Sequence, residues 1–228
     1  MKGPIRVQEL IGVTGIILKT EPIGEYDRRV VILTRERGKI SAFARGARKQ
    51  GSRLLASTNP FCFGKFSLYP GKSAYNVSET LISNYFEGLR DDFEAACYGM
   101  YFLELMDYYT RENNDEKEML KLLYQSLRAL LHEGLSNLLV RYIFEIKALT
   151  INGEYPGLPK RDTPYLDSTE YTVNYIVNTT VEKLYTFTVT GQVLEELSQI
   201  AGIFNSRFID KKMKSLEILH EIHVEIER

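Results

Sequence analysis

The sequence predicts an α+β chain in two parts, a small β-barrel over residues 1–85 and a helical domain over 86–228. Three observations carry this reading. The first part breaks into short β-branched runs separated by Gly and Pro turns, whereas from Phe86 onward apolar residues recur at three- and four-residue spacing. Charge divides along nearly the same line. Residues 1–80 hold 14 Lys and Arg against 6 Asp and Glu, a net of +8, and the remainder holds 15 against 24, a net of -9. The total of -1 therefore conceals two oppositely charged modules.

In chain order, IGVTGIILKT at 11–20 is too short for an amphipathic helix and reads as a first strand. The turn EPIGEYD, with Pro22 and Gly24, ends it before RRVVILTR at 28–35. Arg37-Gly38 then offers a hairpin turn into GKISAFARGA. In that third strand Ile40, Ala42 and Ala44 face one way, while Lys39, Ser41, Phe43 and Arg45 face the other. After Gly46, ARKQGSRLLAST reads as a short helix or a mobile loop. The fourth strand, FCFGKFSLY at 61–69, puts Phe61, Phe63, Lys65, Ser67 and Tyr69 on one face. The Pro70-Gly71 turn leads to the fifth, SAYNVSETLISNY at 73–85. Five strands with a segment between the third and fourth match an OB-fold barrel. A five-stranded SH3-like barrel fits the same count.

Beyond Phe86, Asp91 and Asp92 suit a helix start. Tyr98, Tyr101, Phe102, Leu105, Met106 and Tyr109 then form an apolar stripe that reads as core. Further helices follow from Met119 to Leu131 and from Leu138 to Leu149. In 153–187, Pro156, Pro159 and Pro164 and the polar run DSTEYTVNYIVNTTVEK suggest an irregular insert of loops with a short hairpin. Helical spacing returns over 190–203 and 210–226.

The stretch Arg35–Arg53 carries Arg35, Arg37, Lys39, Arg45, Arg48, Lys49 and Arg53 against one acid, Glu36. Such a local excess attracts a polyanion, nucleic acid being the commonest, or else forms a solvated face. Membrane and secretory readings have no support: no apolar run approaches the ~18 residues of a span, and the first residues lack a signal-peptide core. A cytoplasmic protein is expected. Cys62 and Cys97 have no C-x-x-C partner and read as buried small hydrophobes, not as a disulfide or zinc site. Gly71-Lys72-Ser73 ends like a P-loop, but Phe66 stands where its first glycine belongs. His220 and His223, near Glu217, Glu221 and Glu225, lack a shielded third ligand. No catalytic constellation stands out, so a protein with no enzymatic activity and no cofactor is expected.

The order of parts carries a resemblance. GKISAFARGARKQGSRLLASTNPF after the second strand, the linker FEGLRDDF, a helical domain and a closing KMKSLEIL resemble the RecO family of bacterial DNA repair proteins. The resemblance covers nearly the whole chain and is sharpest from Gly38 to Arg53. It implies a recombination mediator, nucleoid-associated and monomeric when alone, that binds single- and double-stranded DNA. It further implies annealing of strands coated with single-strand-binding protein, and cooperation with RecR in loading RecA. Matching DNA-binding positions are Lys39, Arg45, Arg48, Lys49 and Arg53. The chain departs from many members in 153–187. It keeps Gly153, Pro156 and Leu158 but has no cysteine where a four-cysteine zinc module would follow. The insert is therefore expected to be metal-free and packed by Tyr171, Tyr175, Ile176, Tyr185 and Phe187.

The expected mechanism has these cations neutralising phosphates while Phe43 offers a stacking surface, to which Phe61 or Phe63 would add unless, as their place in the fourth strand favours, they are barrel core. In the acidic part, Lys121, Arg128, Arg141 and Lys147 are candidate rim residues of a pocket for the single-strand-binding protein's tail. An RNA-binding factor and a protein–protein adaptor are the competing readings.

Overall fold

A computed structural model describes residues 9–226; the side chains at 220 and 222–226 are not described, so the His220 and His223 expectation lies outside it. The chain forms two compact units, Met1–Phe86 with Thr110–Leu120, and Glu87–Tyr109 with Lys121–Arg228.

The first unit is a closed barrel of β1 (Ile11–Ile23), β2 (Asp27–Thr34), β3 (Gly38–Ala44), β4 (Phe63–Tyr69) and β5 (Tyr75–Asn84), in the ring order β1-β2-β3-β5-β4. The short helix α1 (Leu54–Ser57) lies between β3 and β4. Neighbours are antiparallel except β3 and β5, which pair in parallel at Ala42–Tyr75 and Phe43–Asn76. This is the OB arrangement, and it displaces the SH3-like alternative. Closure depends on β1, which pairs with both β2 and β4. Gly15 lies opposite Thr34 on one side and Gly64 on the other. A Cβ at Gly15 would meet the Leu33 carbonyl oxygen at 2.3 Å, and one at Gly64 the Leu81 oxygen at 2.3 Å, so only glycine permits the crossing. The register shift between Ile17 and Lys19 bends β1 and leaves Ile16, Ile17 and Leu18 all buried. β1 also runs through Pro22, because a proline near the hairpin end withholds only its own N–H. The break falls at Gly24, whose φ is 55°.

The interior holds Val13, Ile17, Val30, Ile32, Ile40 and Ala42, closed by Cys62, Phe66 and Leu68. Phe66 is thus the core aromatic of β4, while Phe63, Lys65, Ser67 and Tyr69 point outward. Phe61 precedes the strand at φ 72° and is buried. Cys97 is only half-buried, short of the core position expected of it.

The helices are α2 (Gly88–Asp91), α3 (Phe93–Tyr109), α4 (Lys117–Ala129), α5 (Asn137–Ile151), α6 (Asp167–Asn178), α7 (Gly191–Phe208) and α8 (Lys214–Ile226). Asp92 caps α3, its Oδ1 accepting the Ala95 N–H at 2.9 Å. Ser136 and Thr190 cap α5 and α7 in the same way. α5 is the central helix of the second unit, buried at every position from Leu139 to Leu149. Its three charged residues, Arg141, Glu145 and Lys147, are internal for that reason. Glu145 Oε1 accepts from the Tyr101 hydroxyl at 2.6 Å and from Arg141 Nε at 2.9 Å. Lys147 Nζ donates to the carbonyls of Val177 at 2.8 Å and Thr179 at 2.7 Å, at the end of α6. Arg141 and Lys147 are therefore structural and form no pocket rim. Lys121 is paired with Glu182 at 3.0 Å, and Arg128 is exposed.

Residues 153–187 depart from the expected loops and hairpin, because α6 occupies Asp167–Asn178. Thr169, Thr172, Val173 and Ile176 are its buried face, a helical spacing hidden among β-branched residues of low propensity. Packing on α5 and α7 decides the conformation. Thr172 meets its own need within the helix, donating to the Ser168 carbonyl at 2.7 Å. Of the expected packing residues, Ile176 is fully buried, Tyr175 and Phe187 meet edge to face with centroids 5.3 Å apart, and the Tyr185 and Ser126 hydroxyls share a 2.5 Å hydrogen bond. Tyr171 instead lies 72% exposed.

The preceding loop is tied by an ion pair. Arg161 donates to Glu196 and to the Pro164 carbonyl, and its guanidinium lies 3.7 Å from the centroid of the Tyr165 ring. Glu196 Oε2 accepts the Leu166 N–H at 3.1 Å. Burial alone would raise the Glu196 carboxyl, but its donors hold it below the usual carboxylate range. A depressed folded pKa stabilises above the unfolded value, about 4.3, and that stability is lost as pH falls through the folded value. Wild type should therefore melt above Glu196→Gln at pH 7, and circular-dichroism melts should show the gap closing as pH falls below about 4.

Candidate nucleic-acid interface

The alternation along β3 sets the site. Ile40, Ala42 and Ala44 enter the barrel, and Lys39, Ser41 and Phe43 lie half-buried on its outside. The β2–β3 register puts Arg29 opposite Phe43, and Arg29 Nη2 donates to Ser41 Oγ at 3.2 Å. On the other flank Asn76 of β5 lies beside Phe43. A partly exposed ring next to an exposed guanidinium is a surface on which a base can stack while its phosphate is neutralised.

Beyond β3 the chain forms ordered turns, where a mobile loop was one of the two expectations. The Gly46 N–H donates to Asp27 Oδ1 at 2.7 Å, and the Arg48 N–H to the Tyr26 carbonyl at 2.8 Å. Arg48 Nη1 reaches the Gly24 carbonyl at 3.3 Å, and Lys49 Nζ lies 5.4 Å from the centroid of the Tyr26 ring. The 45–53 loop is thus pinned onto the β1–β2 loop, with Arg45, Arg48 and Lys49 all exposed. The Tyr26 phenol, hydrogen-bonded to Glu25, has its pKa raised and stays neutral.

The expected residues do not converge on one patch. Phe43, Arg45, Arg48 and Lys49 share the β2–β3 face and its adjoining loop. Lys39 lies a strand length from Arg45, roughly 20 Å, where its N–H donates to the Arg111 carbonyl at 2.9 Å. Arg53 is exposed at the start of α1 and lines a separate groove with Lys65. Arg35 is compensated by Glu36 at 3.0 Å, while Arg37 lies 6.0 Å from the centroid of the Tyr75 ring. Phe61, being buried, offers no stacking surface, and Phe63 lies half-buried on β4.

Sequence reasoning missed Arg29, Tyr26 and Lys65 as members of the basic surfaces. The hairpin turn at Gly38 was enough to pair Arg29 with Phe43. Nothing in the sequence placed Tyr26 under Lys49. Arg28, next to Arg29, has the opposite role: its Nη1 donates to the Leu55 carbonyl at 2.8 Å, Thr58 Oγ1 at 2.8 Å and Asn59 Oδ1 at 3.1 Å, holding α1 to the barrel.

A closed OB barrel with a half-buried ring on its outer face, a basic loop beside it and a second, helical unit defines the class: an OB-fold protein whose barrel carries exposed positive charge. Family models described as "Recombination protein O N terminal" and "Recombination protein O C terminal" match residues 10–86 and 90–161. The DNA repair protein RecO of Clostridium novyi is 30% identical over 90% of this chain and 91% of its own length. That of Clostridium perfringens is 29% identical over 92% and 97%, and that of Bacillus pumilus 36% over 65% and 58%. The chain belongs to the RecO family of DNA repair and recombination proteins.

Proposed function

We propose that the outer β2–β3 face and the 45–53 loop bind single- and double-stranded DNA without reading sequence. On this reading the protein is a cytoplasmic, non-enzymatic mediator, monomeric when alone. It anneals complementary strands and acts with RecR and single-strand-binding protein to load RecA. The observation that carries the proposal is the juxtaposition of Arg29 and Phe43 beside a loop that presents Arg45, Arg48 and Lys49 on fixed backbone. Annealing needs two repelling backbones screened at once, which suits a shallow distributed surface better than a base-reading pocket.

With Arg29, Arg45, Arg48 and Lys49 as phosphate contacts, affinity for a short single strand should fall with salt at a log–log slope of about -3. Fluorescence anisotropy across a salt series measures this. A slope near zero overturns the proposal, and a marked preference for matched RNA moves the protein to another class.

A further inference from the structure

On the wall of the barrel across from β2, a groove of about 620 Å³ runs beside α1 over the outer surface of β4 and β5. Its cations are Arg53 and Lys65, and its acid is Glu79. Ser67 and Ser78 add hydroxyls, and Leu54 and Leu81 add apolar surface, Leu81 at 70% exposure. The ladder fixes this arrangement, with Lys65 opposite Leu81 and Ser67 opposite Glu79. Thr80 Oγ1 donates to Ser57 Oγ at 2.8 Å, and Ser57 Oγ to the Arg53 carbonyl at 3.3 Å, tying α1 to β5.

We infer that this groove continues the nucleic-acid track: a single strand leaving the β2–β3 face passes over the 45–53 loop and lays its next phosphates between Arg53 and Lys65. The inference rests on the nucleic-acid reading of the barrel proposed above. Arg53 closes the same ordered loop that carries Arg48 and Lys49, whose turn is joined by the Ser52 N–H to the Lys49 carbonyl at 3.1 Å. Positive charge therefore runs from the loop into the groove. Hydroxyls lining the same groove as the cations suit phosphate oxygens, and Leu54 and Leu81 offer an unselective contact to sugars and bases. An acidic peptide would feel the same charge; a nucleic-acid backbone is favoured because a strand held on the loop in the reading above reaches the groove without a second ligand. In the ring order β2 stands across from the β4–β5 pair, so the two surfaces face apart and a strand must wrap to touch both. OB folds occupy about 4–16 nucleotides, so the short end of that range covers one surface and the long end both.

The test compares oligothymidylates of about 5 and about 15 nucleotides on the full chain. Lys65→Glu should leave the short oligomer's Kd within about twofold and weaken the long one about tenfold. Glu79→Gln, which removes the groove's carboxylate, should tighten the long oligomer alone by about threefold. In wild type the salt slope should steepen by about 1.4 from the short to the long oligomer, for two added contacts. Equal effects at both lengths, or none at either, overturn the inference. So does an acidic peptide with an apolar end that binds wild type but not Lys65→Glu while long-oligomer binding is unchanged. If wild type binds neither oligomer, the functional proposal fails and this inference fails with it; if only the length dependence is missing, the functional proposal survives.

Discussion

Changing Arg45, Arg48 and Lys49 together to Glu should weaken single-strand binding by at least about a hundredfold near physiological salt and flatten the salt slope by about 2. Strand annealing should disappear with it. The three side chains are exposed, and the loop that carries them is anchored mainly through backbone donors. Gly46 N–H bonds to Asp27 and Arg48 N–H to the Tyr26 carbonyl. The variant should therefore keep the wild-type circular-dichroism spectrum and lose only a few degrees or less of melting temperature. Annealing at the wild-type rate would remove these residues from the site.

Glu145→Ala should destabilise the helical unit by about 3–5 kcal/mol in urea melts, the largest stability effect expected of a single change here. The carboxylate is 5% exposed and takes both the Tyr101 hydroxyl and Arg141 Nε on one oxygen. Burial, the largest single influence, disfavours the Arg141 charge, but Glu145 together with Tyr101 and Tyr142 outweighs it and raises the guanidinium pKa above its ordinary value. Truncating Glu145 removes the carboxylate paired with a cation that lies buried beside the rings of Tyr101 and Tyr142, each centroid 5.5 Å away. Replacing both partners with apolar residues, Arg141→Met with Glu145→Leu, should recover most of the loss. A Glu145→Ala cost below about 1 kcal/mol would mean that the pair is already solvated.

The contrast between these two sites explains what could be read from the sequence. Period-two alternation from Lys39 to Arg45 is enforced by the barrel interior, so it placed Phe43 outside and Ala42 inside without coordinates. The same logic failed where local chemistry and packing disagree. Three prolines and a run of β-branched residues hid the buried stripe of α6, which only the neighbouring helices stabilise. Arg141 and Lys147 look like surface cations because charge is visible in sequence and their partners, a carboxylate one turn away and two carbonyls at the end of another helix, are not. In the basic run, sequence proximity overstated spatial proximity. An extended strand separates Lys39 from Arg45, and the turn into α1 sends Arg53 to another wall of the barrel.

The short reach of β5 along β3 has its own consequence. The two pair at Ala42–Tyr75 and Phe43–Asn76, and the start of β3 is met instead by the segment after α3. Gly38 bridges Glu112, the Lys39 N–H bonds to the Arg111 carbonyl, and the Asn113 N–H bonds to the Arg37 carbonyl at 3.1 Å. The approach is close enough that a Cβ at Gly38 would come within 2.3 Å of the Arg111 oxygen. An uncovered stretch of strand is a template for a foreign strand, and in a protein concentrated along a polymer it would invite copies to zip together. By laying its own backbone there, the chain denies that template to its neighbours.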